Sequence, residues 1–261
     1  MTKTQKELAF LRDLYIAPDW TQRFTDLFDR NFKFGVEKEI LYVNGGSGNH
    51  VLEIREKLEI DSRINAYGED EESNVLARGK AEMVGTEIIF TDEFPRESYD
   101  LVIADASLVR PSELPQFIED IVDLSDHRVA LFLPTSGSFG QIFSFLWEGL
   151  VNAGLLENAV EVERLISAIP EITKIEDSLN KLGLSKLNIV TEKEVFEFDN
   201  GNAFIESPLV ADFLMPAWLD FLDEHEIESV SKQLVQLIDN NAEDLTFRFS
   251  VKATMIAGQK T

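Results

Sequence analysis

A short aliphatic run that ends in a glycine-dense turn constrains the fold of this chain more than any other segment. Residues 40–48 read Ile-Leu-Tyr-Val-Asn-Gly-Gly-Ser-Gly, and an amphipathic segment follows from Val51 to Leu58. Glycine has no Cβ, so such a turn can bend sharply and let a ligand approach the backbone. The order of strand, glycine turn and helix therefore predicts a βα unit with a binding loop.

Two other interpretations of this loop stay open. A tight βα turn needs glycines for its backbone conformation even when no ligand binds. A nicotinamide-binding loop fits the sequence less well, because Val51 stands where a small residue would let helix and strand pack closely.

Apolar runs and amphipathic segments alternate up to residue 134. Their periodicity predicts a first strand before the glycine turn and later strands at 63–67, 86–90, 99–104 and 128–133. It predicts helices at 2–15, 19–32, 51–58, 71–82 and 111–122, of which the second is capped by Asp19. Such alternation with short connections is typical of an α/β fold with a doubly wound, mostly parallel sheet.

Beyond residue 134 the pattern becomes more helical and rich in aromatic residues. The sequence predicts a loop at 134–140, helices at 141–156 and 172–182, a strand at 186–198, a helical stretch at 203–240 with a break at Pro216, and a final strand at 245–257. No long linker divides the chain, so we expect a single domain over 1–261 with N-terminal helices at 1–35. The segments 135–171 and 199–243 are expected to form a helical cap whose aromatic residues either fill a core or line a site for a hydrophobic or planar molecule.

The charge of the chain narrows the class of its partners. It has 48 acidic and 24 basic side chains and a formal net charge of -24. This field repels a phosphate backbone, so we expect no nucleic acid partner and favour a small-molecule substrate. A homo-oligomer or a protein partner stays open.

Other composition features exclude further classes. No run approaches the roughly 18 to 20 apolar residues that span a bilayer, and charged residues interrupt the first 20 positions, so we expect no membrane segment, no signal peptide and a cytoplasmic location. The chain has no cysteine, which excludes thiolate sites. Its three histidines, His50, His127 and His225, lack the spacing of a metal motif, so we expect no metal site.

Three local patterns together point to a known family. They are the loop 44–48, the helix segment Val-Leu-Ala-Arg at 75–78, and the run Ser-Tyr-Asp-Leu-Val-Ile-Ala-Asp at 98–105. In these patterns the chain resembles the class I S-adenosylmethionine-dependent methyltransferases, and residues 249–258 resemble the seventh strand of that family. The resemblance implies a seven-stranded sheet whose last strand is antiparallel and lies next to the penultimate one, with residues 36–134 as the cofactor-binding half.

The resemblance also implies which residues bind the cofactor, S-adenosylmethionine. They are Asn44, Gly45, Gly46, Gly48, Glu69, Asp70, Asp92 and Ala104. Asp92 matches the family position near the adenine amino group. Asp105 follows strand four, where it would orient or deprotonate a nucleophile; an exposed loop residue or a helix cap is the alternative.

The chain departs from the family pattern at three positions. Tyr42 replaces the acidic residue that ends the first strand, Asn44 replaces the first glycine, and Gly68 replaces the carboxylate that binds the ribose hydroxyls. A one-residue shift would bring Glu69 to the ribose, and Asp70 is the other candidate. Each hydrogen bond to a charged acceptor is worth about 1.5 to 3 kcal/mol, so substitutes for these groups decide whether the cofactor binds.

These residues lead to one main hypothesis and one alternative. The main hypothesis is a methyltransferase that acts on a small molecule by in-line methyl transfer, in which positioning does most of the work. The alternative is a methyltransferase-like protein without activity that serves as a binding or partner subunit. A cavity faced by Glu69 would favour the enzyme, whereas Tyr42 filling the adenosine space would favour the subunit.

Overall fold

Seven strands of the computed structural model, which describes residues 3–241 and 246–260, form one sheet. They are β1 (Glu39–Val43), β2 (Arg63–Tyr67), β3 (Ile89–Thr91), β4 (Tyr99–Asp105), β5 (Ser125–Thr135), β6 (Leu184–Phe198) and β7 (Phe247–Lys260). Across the sheet their order is β3-β2-β1-β4-β5-β7-β6. The first five strands pair in parallel, whereas β7 is antiparallel to both β5 and β6. The predicted doubly wound, mostly parallel sheet is confirmed.

Helices cover both faces of this sheet. Those described are α1 (Gln5–Leu11), π1 (Arg12–Thr21), α2 (Gln22–Asn31), α3 (Asn49–Lys57), α4 (Glu71–Val84), α5 (Leu114–Asp123), α6 (Gly140–Asn152), α7 (Ala159–Ala168), α8 (Ile172–Lys181), α9 (Gly201–Glu206), π2 (Leu209–Leu214), α10 (Met215–Trp218) and α11 (Glu224–Asn241), where π1 and π2 are π-helices. A short 3₁₀ turn at Leu156–Asn158 precedes α7.

Alternate residues of β1 supply two separate cores. Ile40 and Tyr42 belong to the core under α2, α3 and the aromatic cap, whereas Leu41 and Val43 belong to the core under α5 and α8. Successive side chains of a strand point to opposite faces, which is why one short strand contributes to both layers. β1 is thus held rigidly from both sides where its carboxyl end enters the glycine loop.

The structure corrects the predicted N-terminal helices. They are not two helices that meet at a cap on Asp19, because α1, π1 and α2 follow one another without a break and Asp19 lies inside π1. Pro18 also lies inside π1. Proline has no N–H for an α-helical bond, and a wider turn accommodates it where an α-helix would kink. Thr2, in the predicted first helix, lies outside the described residues.

Further corrections concern the cap and the strand ends. The helix α7 was not predicted, and Pro216 does not break a helix but stands in the first turn of α10, a position that suits proline. The predicted strand at 86–90 begins only at Ile89. Leu245, the predicted start of the last strand, lies outside the described residues, and β7 extends to Lys260 rather than ending at Ala257.

Candidate functional site

A cavity of about 330 Å³, here called the ligand cavity, lies at the carboxyl ends of β1, β2 and β4. The chain leaves β1 on one side toward β2, and β4 pairs with the other side of β1. Open α/β sheets bind ligands where the strand order reverses in this way. Six residues predicted from the sequence meet in the cavity wall, namely Asn44, Gly45, Gly46, Glu69, Asp70 and Asp105.

The other three predicted residues lie elsewhere. Gly48 has φ +84, and a Cβ on it would lie 2.8 Å from the Cβ of Ala77, so this glycine lets α4 approach the loop from behind. Ala104 is fully buried inside β4. Asp92 is exposed after β3 and is not part of the wall.

Backbone and side-chain bonds fix the start of the glycine loop. Asn44 has φ +59, a left-handed conformation that asparagine tolerates better than other residues with a Cβ. Its N–H donates to the carbonyl of Tyr67 at the end of β2, 2.8 Å away. Its side-chain amide donates to the carbonyl of Asp105 at the end of β4, 3.2 Å away. Asn44 therefore ties the three strand ends around the ligand cavity.

Asp105 is a partly buried carboxyl group in the cavity wall. One of its side-chain oxygens accepts a hydrogen bond from the backbone N–H of Ser107, 2.8 Å away. Burial raises the pKa of Asp105, although its hydrogen bonds with Ser107 act in the opposite direction. A carboxyl group held in this environment is a better proton acceptor at neutral pH than an exposed aspartate.

The two acidic residues after β2 have different surroundings. Asp70 is the N-cap of α4, where its side chain accepts from the N–H and the hydroxyl of Ser73 at 3.4 and 2.5 Å. It also lies 3.6 Å from the guanidinium of Arg12. Glu69 is exposed and lines the cavity, and among the described residues its carboxylate has only a long contact of 3.5 Å with the hydroxyl of Tyr67. Glu69 is thus the carboxylate that remains free to bind a ligand.

The helix π1 supplies a wall of the cavity that sequence reasoning missed. Arg12, Ala17 and Thr21 line it, and Nε of Arg12 is buried without a hydrogen-bond partner among the described residues. The guanidinium also lies over the ring of Phe213, 5.3 Å from its centroid. The helical periodicity of this segment indicated a buried face but gave no sign that its polar residues reach a cavity.

A polar cluster fastens π1 to the glycine loop. The ammonium of Lys80 on α4 donates to Asp13 of π1 and, at 2.6 Å, to the side chain of Asn49. The hydroxyl of Ser47 donates to the same carboxylate of Asp13, 2.5 Å away. Although partial burial acts in the opposite direction, the bonds from Lys80 and Ser47 lower the pKa of Asp13. The loop is therefore held between the N-terminal helices and α4.

Tyr42 and His50 also line the ligand cavity, yet both are almost completely buried. The hydroxyl of Tyr42 lies 2.8 Å from Nδ1 of His50, and Nε2 of His50 lies 3.3 Å from a carboxylate oxygen of Asp29. Tyr42 does not fill the cavity. Its ring stands in the wall and leaves the space open.

Asp29, His50 and Glu53 bring three potential metal-ligand atoms within 4.8 Å of one another. The second oxygen of Asp29 already binds the ammonium of Lys57, 2.6 Å away. A cation in that place competes with a divalent metal ion. We therefore do not assign a metal site to this group.

A second, apolar cavity of about 70 Å³ lies beside the ligand cavity, and Leu108 and Val109 line both. Its wall includes Phe139, Phe143 and Trp218 from the predicted cap. Trp218 packs edge-on against both phenylalanine rings, with centroids 5.2 and 5.3 Å apart. Small-molecule sites commonly measure about 300–1,000 Å³, so the apolar cavity must widen to take a substrate.

Within residues 3–241 and 246–260, no helix combines the length and the apolar character that crossing a bilayer requires.

No protein-family model and no curated protein sequence matches this chain. Solved structures do match it. The YcgJ protein of Bacillus subtilis aligns with a TM-score of 0.56 and 12% identity over 92% of this chain and 98% of that one. Geranyl diphosphate C-methyltransferase from Streptomyces coelicolor, solved with Mg²⁺, geranyl diphosphate and S-adenosylhomocysteine, aligns with a TM-score of 0.51 and 9% identity over 92% and 79% of the two chains.

A third match is the [4+2]-cyclase SpnF, with a TM-score of 0.51 and 15% identity over 100% of this chain and 97% of that one. A methyltransferase and a cyclase thus share this architecture, so similarity at such identities describes the fold and leaves the reaction open. The strand order, the antiparallel seventh strand and these matches agree. The chain has the fold of the class I S-adenosylmethionine-dependent methyltransferases.

Proposed function

We propose that this protein is an S-adenosylmethionine-dependent methyltransferase that transfers a methyl group to a small, hydrophobic or planar molecule. The observation that carries the proposal is the open ligand cavity at the switch point, in which the glycine loop, Glu69 and Asp105 meet. A chain in which Tyr42 closed this space would instead favour a partner subunit. The cavity is open even though two family carboxylates are missing.

The residues in the wall fit the polar groups of this cofactor. Glu69 has a free carboxylate, which can accept bonds from both ribose hydroxyls. Arg12 is the only lysine or arginine among the described residues of the wall, and its unpartnered Nε suits a ligand carboxylate. Gly46, at φ +55, lets the ligand pass close to the backbone.

The charge of the cavity favours a cationic ligand. Glu69, Asp70, Asp105 and Glu113 line it against the single guanidinium of Arg12. Opposite charges in a partly desolvated cavity attract more strongly than they do in water. When bound, the cofactor supplies a methyl group on a cationic sulfur, so its charge complements the wall.

The chain itself supplies orientation and a proton acceptor. The nucleophilic atom of the substrate must approach the methyl carbon from the side opposite the sulfur. A substrate in the apolar cavity could do so where the two cavities meet, at Leu108 and Val109. The raised pKa of Asp105, caused by burial, suits it to take the proton that a neutral oxygen or nitrogen loses on methylation. The aromatic wall of the apolar cavity favours a planar or apolar substrate.

Calorimetric titration with S-adenosylmethionine and S-adenosylhomocysteine tests this proposal. Gly46→Val places a branched side chain in the cavity wall, with its Cβ about 3.7 Å from Cδ of Arg12. Gly85→Val is the matched control, because Gly85 also has a positive φ (+70), no atom of the described residues lies within 4 Å of its missing Cβ, and it is not part of the wall. We expect the wild type and Gly85→Val to bind and Gly46→Val not to bind. If folded wild-type protein binds neither ligand, the alternative of a binding or partner subunit replaces the enzyme.

A further inference from the structure

Tyr42, His50 and Asp29 form a hydrogen-bonded series that leads from the ligand cavity to the protein surface. The hydroxyl oxygen of Tyr42 lies 2.8 Å from Nδ1 of His50, and Nε2 of His50 lies 3.3 Å from a carboxylate oxygen of Asp29. Tyr42 is 1% exposed and His50 is 5% exposed, whereas the side chain of Asp29 is 25% exposed. Three elements, β1, α3 and α2, each contribute one member.

The ionised carboxylate of Asp29 fixes the direction of one hydrogen bond, and the tautomer and charge of His50 decide the direction of the other. An ionised carboxylate can only accept hydrogen bonds, so Nε2 of His50 must carry a proton and donate a hydrogen bond to Asp29. In a neutral imidazole Nδ1 is then an acceptor, and Tyr42 must donate its hydroxyl proton to it. With its proton engaged, the oxygen of Tyr42 can take part in a further hydrogen bond only as an acceptor.

Asp29 is well suited to stay ionised. Although partial burial acts in the opposite direction, its bonds with His50 and Lys57 lower the pKa of Asp29. Burial above all, and then the carboxylates Asp105, Asp29 and Glu53, raises the pKa of Tyr42 well above its ordinary value. The hydroxyl therefore stays neutral in surroundings that are electrostatically negative.

We infer that the series Tyr42–His50–Asp29 makes the Tyr42 hydroxyl oxygen an acceptor for a protonated amine of the bound ligand. An uncharged donor would leave the negative surroundings uncompensated, whereas an ammonium both donates and compensates them. Since this inference rests on the proposed function, the amine is the α-ammonium of the cofactor. In this arrangement Asp29 on α2 takes the place of the carboxylate missing at the end of β1 and acts through His50 and Tyr42.

Binding of two related ligands to three proteins tests this inference. S-adenosylhomocysteine carries the amine, whereas 5′-methylthioadenosine has the same adenosine and sulfur without the amino acid. We expect Tyr42→Phe to lower the affinity for S-adenosylhomocysteine by roughly 10- to 100-fold and the affinity for 5′-methylthioadenosine by less than about 2-fold. Tyr99→Phe is the matched control, because Tyr99 is also buried but lies outside the ligand cavity, and it should leave both affinities unchanged. Equal weakening of both ligands by Tyr42→Phe, or of neither, contradicts the inference.

The nitrogen resonances of His50 provide a readout that packing alone would not change. The chain has three histidines, and the exposed His127 and His225 can be replaced by glutamine to identify the signals of His50. We expect a neutral ring with its proton on Nε2 in wild type. A proton on Nδ1, or on both nitrogens, overturns the inference because Tyr42 would then accept from His50.

The two readouts separate this inference from the proposed function. If wild type binds neither ligand, the proposed function fails and the assignment of the α-ammonium fails with it, whatever the state of His50. If wild type binds both ligands and Tyr42→Phe, still folded and still binding 5′-methylthioadenosine, keeps full affinity for S-adenosylhomocysteine, only the inference fails.

Discussion

The side-chain amide of Asn44 lies 3.2 Å from the backbone oxygen of Asp105 and donates a hydrogen bond to it. This bond joins the carboxyl ends of β1 and β4, the two neighbouring strands between which the ligand cavity opens. Asn44 has φ +59, in the left-handed region that glycine adopts readily and asparagine tolerates. It thus combines a glycine-like backbone conformation with a side-chain link across the switch point.

The conformation of Asn44 predicts an unusual order of stability for two variants. Asn44→Gly loses the bond to Asp105 but accepts φ +59 readily, whereas Asn44→Ala loses the bond and is also strained. We expect Asn44→Ala to be less stable than Asn44→Gly by about 1 kcal/mol. Urea unfolding of both variants measures this difference, and equal stabilities would show that the loop relaxes away from this conformation.

Two glycines of similar conformation separate packing from backbone strain. Gly48 and Gly85 have φ +84 and +70, but only at Gly48 would a Cβ meet a neighbour, 2.8 Å from the Cβ of Ala77. We expect Gly85→Ala to lower the free energy of unfolding by about 1 kcal/mol and Gly48→Ala by about 2 to 4 kcal/mol. Denaturant unfolding of both variants provides the comparison. A cost at Gly48 no larger than at Gly85 would mean that α4 does not pack tightly against the loop.

The partly buried carboxyl group of Asp105 predicts a pH-dependent difference in stability between wild type and a variant. Burial raises the pKa of Asp105 in the folded state above its ordinary value of 3.8. The contribution of this group to the free energy of unfolding is therefore fully present below pH 3.8 and is lost as the pH rises through the folded pKa. Asparagine can still accept the bond from Ser107 and carries no charge. Asp105→Asn should therefore melt at a higher temperature than wild type near pH 7, by an amount that shrinks toward about pH 4.

Thermal melts of the two proteins at matched pH values test this prediction. The stability difference should be roughly 1.4 kcal/mol for each pH unit by which the folded pKa is raised. A variant that is less stable than wild type at neutral pH would indicate that a nearby cation, such as Arg12, stabilises the ionised form.

Glu69 and Asp70 should differ in what their loss affects. Glu69 is free to bind a ligand, so Glu69→Ala should lower the affinity for S-adenosylhomocysteine by roughly 10- to 100-fold. It should change the free energy of unfolding little. Asp70 caps α4, so Asp70→Ala should lower the free energy of unfolding by about 1 kcal/mol. Calorimetry and urea unfolding on both variants distinguish the two roles. If Asp70→Ala also loses the greater share of affinity, Asp70 is the ribose-binding residue.

Much of the fold could be predicted because its signals are local. The five residues of β2 were predicted at their observed positions, and the glycine loop located the ligand cavity, since an aliphatic run and a glycine turn are both visible in a short window. For Gly48 the sequence predicts a role in the cofactor loop, and only the three-dimensional packing shows that its missing Cβ also lets α4 approach at Ala77.

The rest of the site depends on contacts between distant segments. Arg12 reaches the cavity from π1, and the periodicity of that segment does not show which distant residues its polar side chains will meet. Asp29 meets His50 across 21 positions of sequence, and no spacing rule relates a residue on α2 to one on α3. In the sequence, Tyr42 indicates only that the carboxylate at the end of β1 is missing. The structure adds that its hydroxyl is linked through His50 to the carboxylate of Asp29.

A crystal structure of the protein grown with saturating S-adenosylhomocysteine tests most directly whether the ligand cavity is the cofactor site. We predict that the ligand lies between the glycine loop and π1, with its ribose at Glu69, its carboxylate at Arg12 and its amine at Tyr42. Density at another surface, or an empty cavity in a protein shown to bind the ligand in solution, would contradict the assignment of this site.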